Sequence, residues 1–121
     1  MSKTILVVED QADNRKILRD LLTNSGFRVI EAVNGREGIQ LAQSSQPDLI
    51  LMDIQLPGID GYEATRKIKD DNNLKDIPII VVTSYALSGD EKKAYEAGCD
   101  AYVAKPYSPR EMLARVREYL E

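Results

Sequence analysis

One acidic residue stands at the end of an unusually apolar stretch. Residues 49–52 read Leu-Ile-Leu-Met and are followed directly by the carboxylate of Asp53. A strand with one solvent-facing side alternates polar and apolar residues, whereas an unbroken apolar run is typical of a strand covered on both faces. Open α/β folds bind ligands at the carboxyl ends of such strands. Asp53 therefore either begins a simple turn, a common role for Asp, or lies in a functional site.

Polar residues that could do chemistry also follow three other apolar runs of strand length. In chain order, the complete set is Glu9 and Asp10, then Asp53, then Thr83 with Ser84, and finally Lys105 with Pro106. If the runs form one parallel sheet, all these residues meet at the same edge of it. Three carboxylates so close together repel by about 4 kcal/mol per pair at ~4 Å and an effective dielectric of ~20. Such a cluster must take up a proton or hold a cation.

The residue types at this edge indicate which cation and which chemistry to expect. The ligands are all oxygens and the chain has no histidine, so a hard cation is favoured, and Mg²⁺ fits best. Lys105 would add a second positive charge, and Thr83 a hydroxyl for a phosphate oxygen. Because Asp is a known nucleophile for phosphorus, the set predicts a phosphoryl-transfer site. Taken singly, Asp10 or Thr83 could equally be a structural residue.

The elements that must position these residues can be read from the apolar pattern. Five strands are predicted at residues 4–8, 28–33, 48–52, 77–82 and 101–104. Segments with helical spacing lie between and after them, with apolar positions such as Ile17, Leu18, Leu21 and Leu22 in the first helix. Strands that alternate with helices are typical of a parallel sheet with helices on both faces. The five repeats fill residues 1–121, so we expect a single α/β domain.

Composition excludes several classes of function. The formal net charge is −4 over 121 residues, which argues against direct binding of nucleic acid. No apolar run approaches the ~20 residues needed to span a bilayer, so membrane insertion is not expected. The absence of histidine removes His-based catalysis and metal binding. The single cysteine, Cys99, is expected to be a small buried thiol, and we expect a cytoplasmic protein.

Over its whole length the chain resembles the receiver domains of two-component response regulators. The motifs that carry the resemblance are VVED at 7–10, LILMDIQLPGIDG at 49–61, VVTSYA at 81–86 and GCDAYVAKP at 98–106. Each is modest alone, but their order and spacing are specific. The chain is most similar to the stand-alone receivers of the chemotaxis and cell-cycle regulator type. The resemblance implies a flavodoxin-like fold with strand order 2-1-3-4-5.

The resemblance also implies a role for each acidic residue. Asp53 matches the phosphoacceptor, which takes a phosphoryl group from a histidine kinase or a phosphotransfer protein. Asp10 would bind Mg²⁺ directly and Glu9 through a water molecule. The main-chain carbonyl of Gln55 would be a further ligand. Gln55, together with Tyr85, is expected to crowd the approach of water and so to lengthen the life of the phosphorylated state.

Further residues match the parts of the family that respond to phosphorylation. Lys105 would pair with the phosphate and precede a cis peptide bond to Pro106. Thr83 and Tyr102 would switch together and change the face formed by helix four, strand five and helix five, where a downstream protein binds. Candidate contacts on that face are Lys92, Lys93, Glu96, Tyr102, Arg110 and Arg115.

Other readings stay open at this point. A haloacid-type phosphatase also uses an Asp nucleophile but wants Asp two residues later, where this chain has Gln55. A nucleotide-binding enzyme needs a glycine-rich phosphate loop, and neither common pattern is present. We therefore expect no enzyme beyond assistance of its own phosphorylation and dephosphorylation. Two alternatives remain: a non-phosphorylated docking module, and a receiver excised from a hybrid kinase or transcription factor. The start and end of the chain favour a complete small protein over an excised domain.

Overall fold

The structure, a computed structural model, describes residues 2–83 and 90–121. In this part of the chain strands and helices alternate. They are β1 (Thr4–Val8), α1 (Ala12–Asn24), β2 (Arg28–Ala32), α2 (Gly35–Ser45), β3 (Leu49–Asp53), α3 (Gly61–Asp70), β4 (Ile79–Thr83), α4 (Asp90–Glu96), β5 (Ala101–Ala104) and α5 (Pro109–Leu120). The strands form one parallel sheet in the order β2-β1-β3-β4-β5. This confirms the predicted α/β class and the predicted strand order.

Two of the functional residues lie inside strands, although the sequence placed them just after. The predicted third and fourth strands, residues 48–52 and 77–82, are both shifted toward the C-terminus. Asp53 is the last residue of β3 and pairs in register with Val82, and Thr83 is the last residue of β4. Apolar pattern alone cannot locate a strand end, because main-chain hydrogen bonds continue regardless of side-chain type. The main chain of the predicted acceptor is therefore part of the sheet.

The sheet is covered on both faces, and the alternate residues of each strand divide between two cores. One core packs against α2, α3 and α4 and includes Leu6, Val8, Ile50, Met52, Ile79, Val81, Ala42, Ile68 and Ala94. The other packs against α1 and α5 and includes Ile5, Val7, Leu49, Leu51, Ile80, Val82, Leu18, Leu22, Met112 and Val116. Every residue of β3 is buried, which explains its unbroken apolar run. Asp53 is thereby held between two packed layers.

Polar side chains begin three of the helices at the carboxyl edge of the sheet. Asn34, Asp60 and Ser108 each accept a hydrogen bond from the main-chain N–H three residues later, which satisfies a helix N-terminus. Gly61, which opens α3, packs so closely that a Cβ there would overlap the main-chain oxygen of Asp53. The start of α3 therefore rests directly against the end of β3.

One predicted core residue is on the surface. Leu18 and Leu22 of α1 are buried as expected, but Ile17 is 59% exposed. The predicted stripe was wrong at this position because adjacent residues of a helix are about 100° apart, so only part of a wide stripe can face the sheet. Ile17 instead lies near the functional edge described below.

The structure also bears on the predictions for the single cysteine and for membrane insertion. Cys99 is 7% exposed, which confirms the expected buried thiol, and burial raises the pKa of this thiol to about 11. Among residues 2–83 and 90–121, no helix combines the length and the apolar character needed to cross a bilayer.

Candidate functional site

The acidic residues that end β1 and β3 form one cluster. Each of Glu9, Asp10 and Asp53 contributes a carboxylate oxygen, and these atoms all lie within 4.8 Å of one another. Glu9 is 2% exposed and Asp53 is 8% exposed, whereas Asp10 is open to solvent. The structure thus brings together all three acids that the sequence placed at this edge. It also leaves one side of the cluster accessible.

The ammonium group of Lys105 contacts the side chains of this cluster. Its Nζ lies 3.0 Å from Oε1 of Glu9 and 3.7 Å from Oδ2 of Asp53. The Lys105 amide donates to the main-chain oxygen of Thr83 at 2.7 Å, which ties β4 to the start of the β5–α5 connection. The peptide bond to Pro106 is cis, as predicted. The lysine is therefore held by its main chain and by its side chain.

Burial and charge repulsion distribute protons unevenly over the cluster. Burial, followed by the neighbouring Glu9 carboxylate, raises the pKa of Asp53 to about 7. Burial acts to raise the pKa of Glu9 as well, but hydrogen bonds with Asp53 and Lys105 outweigh it and leave that pKa below its usual value. The pKa of Asp10 is raised, again by burial and then by Glu9. Asp53 is therefore the carboxyl group at which the cluster holds a proton near neutral pH.

The donor set fits a hard divalent cation. All three side chains offer oxygen atoms, and one of the three residues is exposed, so that a cation could keep part of its water shell. A cation would also relieve the repulsion that raises the pKa of Asp53. These properties match Mg²⁺ better than a softer metal.

The remaining predicted residues lie around Asp53 at different depths. The amide of Gln55 donates to Oδ1 of Asp53 at 3.4 Å, and its side chain is exposed. Thr83 is fully buried at the end of β4, the strand next to Asp53. Tyr102 is half-buried on β5, opposite Val81 in register. Ser84 and Tyr85 lie outside the described residues, so the effect of Gln55 and Tyr85 on phosphate lifetime stays a prediction.

Sequence reasoning missed a basic residue and its acidic partner behind the cluster. Nη1 of Arg15, on the first turns of α1, donates to the main-chain oxygens of both Glu9 and Asp10 at 3.0 Å each. Its Nε lies 3.6 Å from Oε1 of Glu31 on β2. No pattern signals a contact between an arginine and main-chain oxygens, because those oxygens are common to every residue type.

A groove beside the acidic cluster was also missed. It measures about 440 Å³ and lies between α1 and the β5–α5 connection. Its walls are mostly apolar; they include Ile17, Leu18, Leu21, Pro106, Tyr107 and Pro109, with Glu9 and Lys105 at the end nearest the cluster. The exposure of Ile17 is explained by its place in this wall.

The face predicted to bind a downstream protein is polar and carries both signs of charge. Lys92, Lys93, Glu96, Arg110 and Arg115 are exposed, and Tyr102 is half-buried among them. A second pocket of about 390 Å³ on this face is lined by Tyr102, Val103, Ala104, Glu111, Ala114, Arg115 and Glu118. Tyr102 is thus accessible from the face as well as connected to the sheet.

Comparison with known proteins gives consistent results over nearly the whole chain. The sequence model of the response regulator receiver domain matches residues 5–117. A curated relative, the polar-differentiation response regulator DivK of Brucella anthropi, is 45% identical over 120 residues, which cover 99% of this chain and 98% of the relative.

Solved structures of similar proteins show the same architecture. The receiver domain of a sensor histidine kinase from Pseudomonas aeruginosa PAO1, which has a magnesium ion coordinated in its active site cleft, is 35% identical with a TM-score of 0.93, covering 99% of this chain and 98% of that one. A putative response regulator from Chloroflexus aurantiacus is 32% identical with a TM-score of 0.95 over 99% and 98% of the two chains.

Proposed function

Because the chain belongs to the family of response regulator receiver domains, we propose that it is a signalling switch phosphorylated on Asp53. The donor would be a histidine kinase or a histidine phosphotransfer protein. The observation that carries the assignment is the position of Asp53. It is the buried acid at the end of the central strand, close both to Lys105 and to the acids that follow β1.

The residues at the site divide the work of phosphoryl transfer. A carboxylate oxygen of Asp53 forms a bond to phosphorus while the bond from phosphorus to the donor's imidazole nitrogen breaks, and that nitrogen keeps the electron pair. Lys105 lies close enough to Asp53 to meet the incoming phosphate with a positive charge. Asp10 and Asp53 would hold Mg²⁺ directly and Glu9 through a water molecule, with the main-chain carbonyl of Gln55 as a further ligand. When bound, Mg²⁺ neutralises charge on the transferring group and on the acids.

The raised pKa of Asp53 gives the cation a second purpose. A protonated carboxyl group is a poor nucleophile, and burial favours that protonated form. Positive charge at the cluster lowers the cost of the carboxylate and so prepares it for attack. The product of the reaction is a modified chain, so the proposed role is a switch and not an enzyme that converts small molecules.

The phosphodonor must cover the rim of the sheet to reach Asp53. The apolar groove beside Lys105 is the described surface best suited to receive it, since it begins at the cluster and runs along α1. We propose that a helical part of the donor, which carries the phosphohistidine, packs on this groove. Exposed Ile17 would lie within that contact.

The output would appear on the face formed by α4, β5 and α5. Thr83 is buried at the end of β4, beside both Asp53 and the main chain of Lys105. A new phosphate carries about −2 charge and can draw the Thr83 hydroxyl into a bond worth roughly 1.5–3 kcal/mol. A shift of Thr83 would change the space available to Tyr102 on the next strand. The mixed charge of this face suits a protein partner better than a nucleic acid.

Labelling with a small phosphodonor tests the acceptor. We expect acetyl phosphate and Mg²⁺ to add one phosphoryl group to the wild-type chain and none to Asp53→Asn, as measured by intact mass and peptide mapping. Asp60→Asn is a matched control, because Asn also caps a helix well and Asp60 lies on the neighbouring loop. It should be labelled like the wild type. Full labelling of Asp53→Asn would show that the acceptor is another residue.

A further inference from the structure

The guanidinium group of Arg15 is bound between two parts of the molecule. On one side Nη1 holds the main-chain oxygens of Glu9 and Asp10, at 3.0 Å each. On the other side Nε faces Glu31 of β2 at 3.6 Å. The Arg15 side chain is 19% exposed, so these interactions are partly shielded from solvent. One planar group thereby links the connection that carries two of the site acids to the edge strand of the sheet.

Glu31 is itself fixed by more than Arg15. Its position on β2 is opposite Val7 of β1 in the parallel register. Arg19, one helical turn after Arg15, donates to both Glu31 carboxylate oxygens at 3.1 and 3.3 Å. The carboxylate is therefore held in a defined orientation by an arginine that does not touch the site. This makes Glu31 a firm support for the Arg15 guanidinium.

The connection between β1 and α1 has other restraints, and the strongest of them act on Glu9, whose side chain pairs with Lys105 at 3.0 Å. The residue before α1, Gln11, provides no side-chain cap, unlike the residues that begin α2, α3 and α5. The Glu9 carboxylate accepts from the Gln11 amide at 3.2 Å, and the Glu9 amide donates to Ala32 at 3.0 Å. Asp10 is exposed, and its main-chain oxygen accepts a hydrogen bond from the Arg15 side chain.

We propose that Arg15 is a positioning residue for the cation site, and that Glu31 orients it. By binding both carbonyl oxygens, Arg15 fixes the main chain so that the carboxylates of Glu9 and Asp10 stay on the side of Asp53. The inference rests on the proposed function, because it concerns the same site. Residues that orient metal ligands from behind commonly change metal affinity by about 10–100-fold when they are removed.

Electrostatics alone predicts that removal of Arg15 strengthens Mg²⁺ binding, whereas a positioning role predicts that it weakens binding. The two explanations can therefore be distinguished by experiment. Arg15 is positively charged, so its removal alone would make the site more negative and strengthen Mg²⁺ binding. If positioning dominates, removal weakens binding instead. Arg15→Lys keeps the charge and can bond one carbonyl oxygen but not Glu31 as well, so its affinity should lie between those of wild type and Arg15→Ala.

The measurement is calorimetric titration of the purified full chain with Mg²⁺. We expect Arg15→Ala to weaken binding about tenfold and Glu31→Gln to weaken it less, with no further loss in the double variant because the two residues act through one contact. Acetyl phosphate labelling gives an independent readout. The Mg²⁺ concentration for half-maximal labelling should rise by a similar factor, while the rate at saturating Mg²⁺ falls less.

Arg19→Ala is the matched control. Arg19 is an arginine on the same helix that binds the same Glu31, but it has no contact with Glu9 or Asp10. Because Arg19 can act on the site only through Glu31, its removal should weaken Mg²⁺ binding less than Glu31→Gln does. Unchanged or tighter binding by Arg15→Ala, or an equal loss in Arg19→Ala, would overturn the inference. If Arg15→Ala does not fold, wild-type affinity in both Arg15→Lys and Glu31→Gln would overturn it. Absent Mg²⁺ binding by the wild type would do so too, whereas binding without labelling would overturn only the proposed function.

Discussion

The ammonium group of Lys105 makes its shorter ion pair with Glu9, at 3.0 Å, and is 3.7 Å from the nearer oxygen of Asp53. The side chain of Glu9 is only 3% exposed in this pair. Glu9 thus holds the lysine beside Asp53, the proposed acceptor. A phosphoryl group on Asp53 would meet a positive charge that is already in place.

Asp53 should lower stability at neutral pH when no divalent cation is bound. Its pKa is raised from 3.8 to about 7, so the folded chain binds a proton that the unfolded chain has lost. Stability therefore falls as pH rises between about 4 and 7, and the penalty is complete above pH 7. Asp53→Asn lacks this penalty, so its stability relative to wild type should increase over that range, by at most about 4 kcal/mol.

Urea denaturation in EDTA at several pH values measures this difference. A variant that gains nothing between pH 4 and pH 8 would contradict the raised pKa. A gain smaller than the upper value is expected, since Glu9 and Asp53 influence each other's pKa and the loss of one carboxylate also changes the titration of the other.

Divalent cation should stabilise the fold through the acidic cluster. A ligand that binds only the native state at 100 times its dissociation constant adds about 2.7 kcal/mol to the free energy of unfolding. Mg²⁺ in large excess over its dissociation constant should therefore raise the melting temperature of the wild type by several degrees, and Asp10→Ala should lose most of that rise. Asp13→Ala, which removes a nearby exposed acid on α1, should keep it. Equal shifts in both variants would place the cation elsewhere.

Ile17 should matter for a protein phosphodonor and not for a small one. Its side chain is 59% exposed, so Ile17→Lys should change stability by no more than about 0.5 kcal/mol. Transfer from a phosphotransfer protein that labels the wild type should slow about tenfold or more, while labelling by acetyl phosphate continues at the same rate. Val33→Lys replaces another exposed apolar residue, 40% exposed and away from the groove, and should leave both rates unchanged. Normal protein-to-protein transfer in Ile17→Lys would exclude the groove as the docking surface.

Phosphorylation should alter the face formed by α4, β5 and α5. Beryllofluoride, a phosphoryl mimic, should shift amide resonances of residues 90–115 as well as those around Asp53. Thr83→Ala should retain the shifts near Asp53 and lose most of those on the distant face, because the hydroxyl is the proposed link. Shifts confined to the loops around Asp53 in the wild type would show that no signal reaches this face.

Much of the fold could be predicted from the sequence, because the apolar residues of the strands and helices are those that form the two cores on either side of the sheet. β1 and β5 have the predicted bounds, since each lies between clear polar residues. β3 and β4 extend one residue further than predicted, since the sheet continues through Asp53 and Thr83. The strand order came from resemblance, as several orders satisfy the same alternation of strands and helices.

The charged residues of the site could be predicted from the sequence, but the residues that position them or lie beside them could not. Glu9, Asp10, Asp53 and Lys105 could be named because acids and lysine at strand ends are rare enough to be noticed. Arg15 could not, because its role depends on main-chain oxygens that carry no sequence signal. Ile17 could not either, since a helix with a wide apolar stripe does not reveal which of its edges stays uncovered.

The place of Asp53 within β3 has a mechanical consequence. Its main chain is hydrogen-bonded into the centre of the sheet, and Gly61 packs against its carbonyl oxygen. Asp53, the proposed acceptor, is thus held by main-chain hydrogen bonds within the central strand, so we expect its main chain to shift little on phosphorylation. Phosphorylation would then change the charge at a fixed position. The structural response must come from neighbouring side chains that move toward or away from that charge.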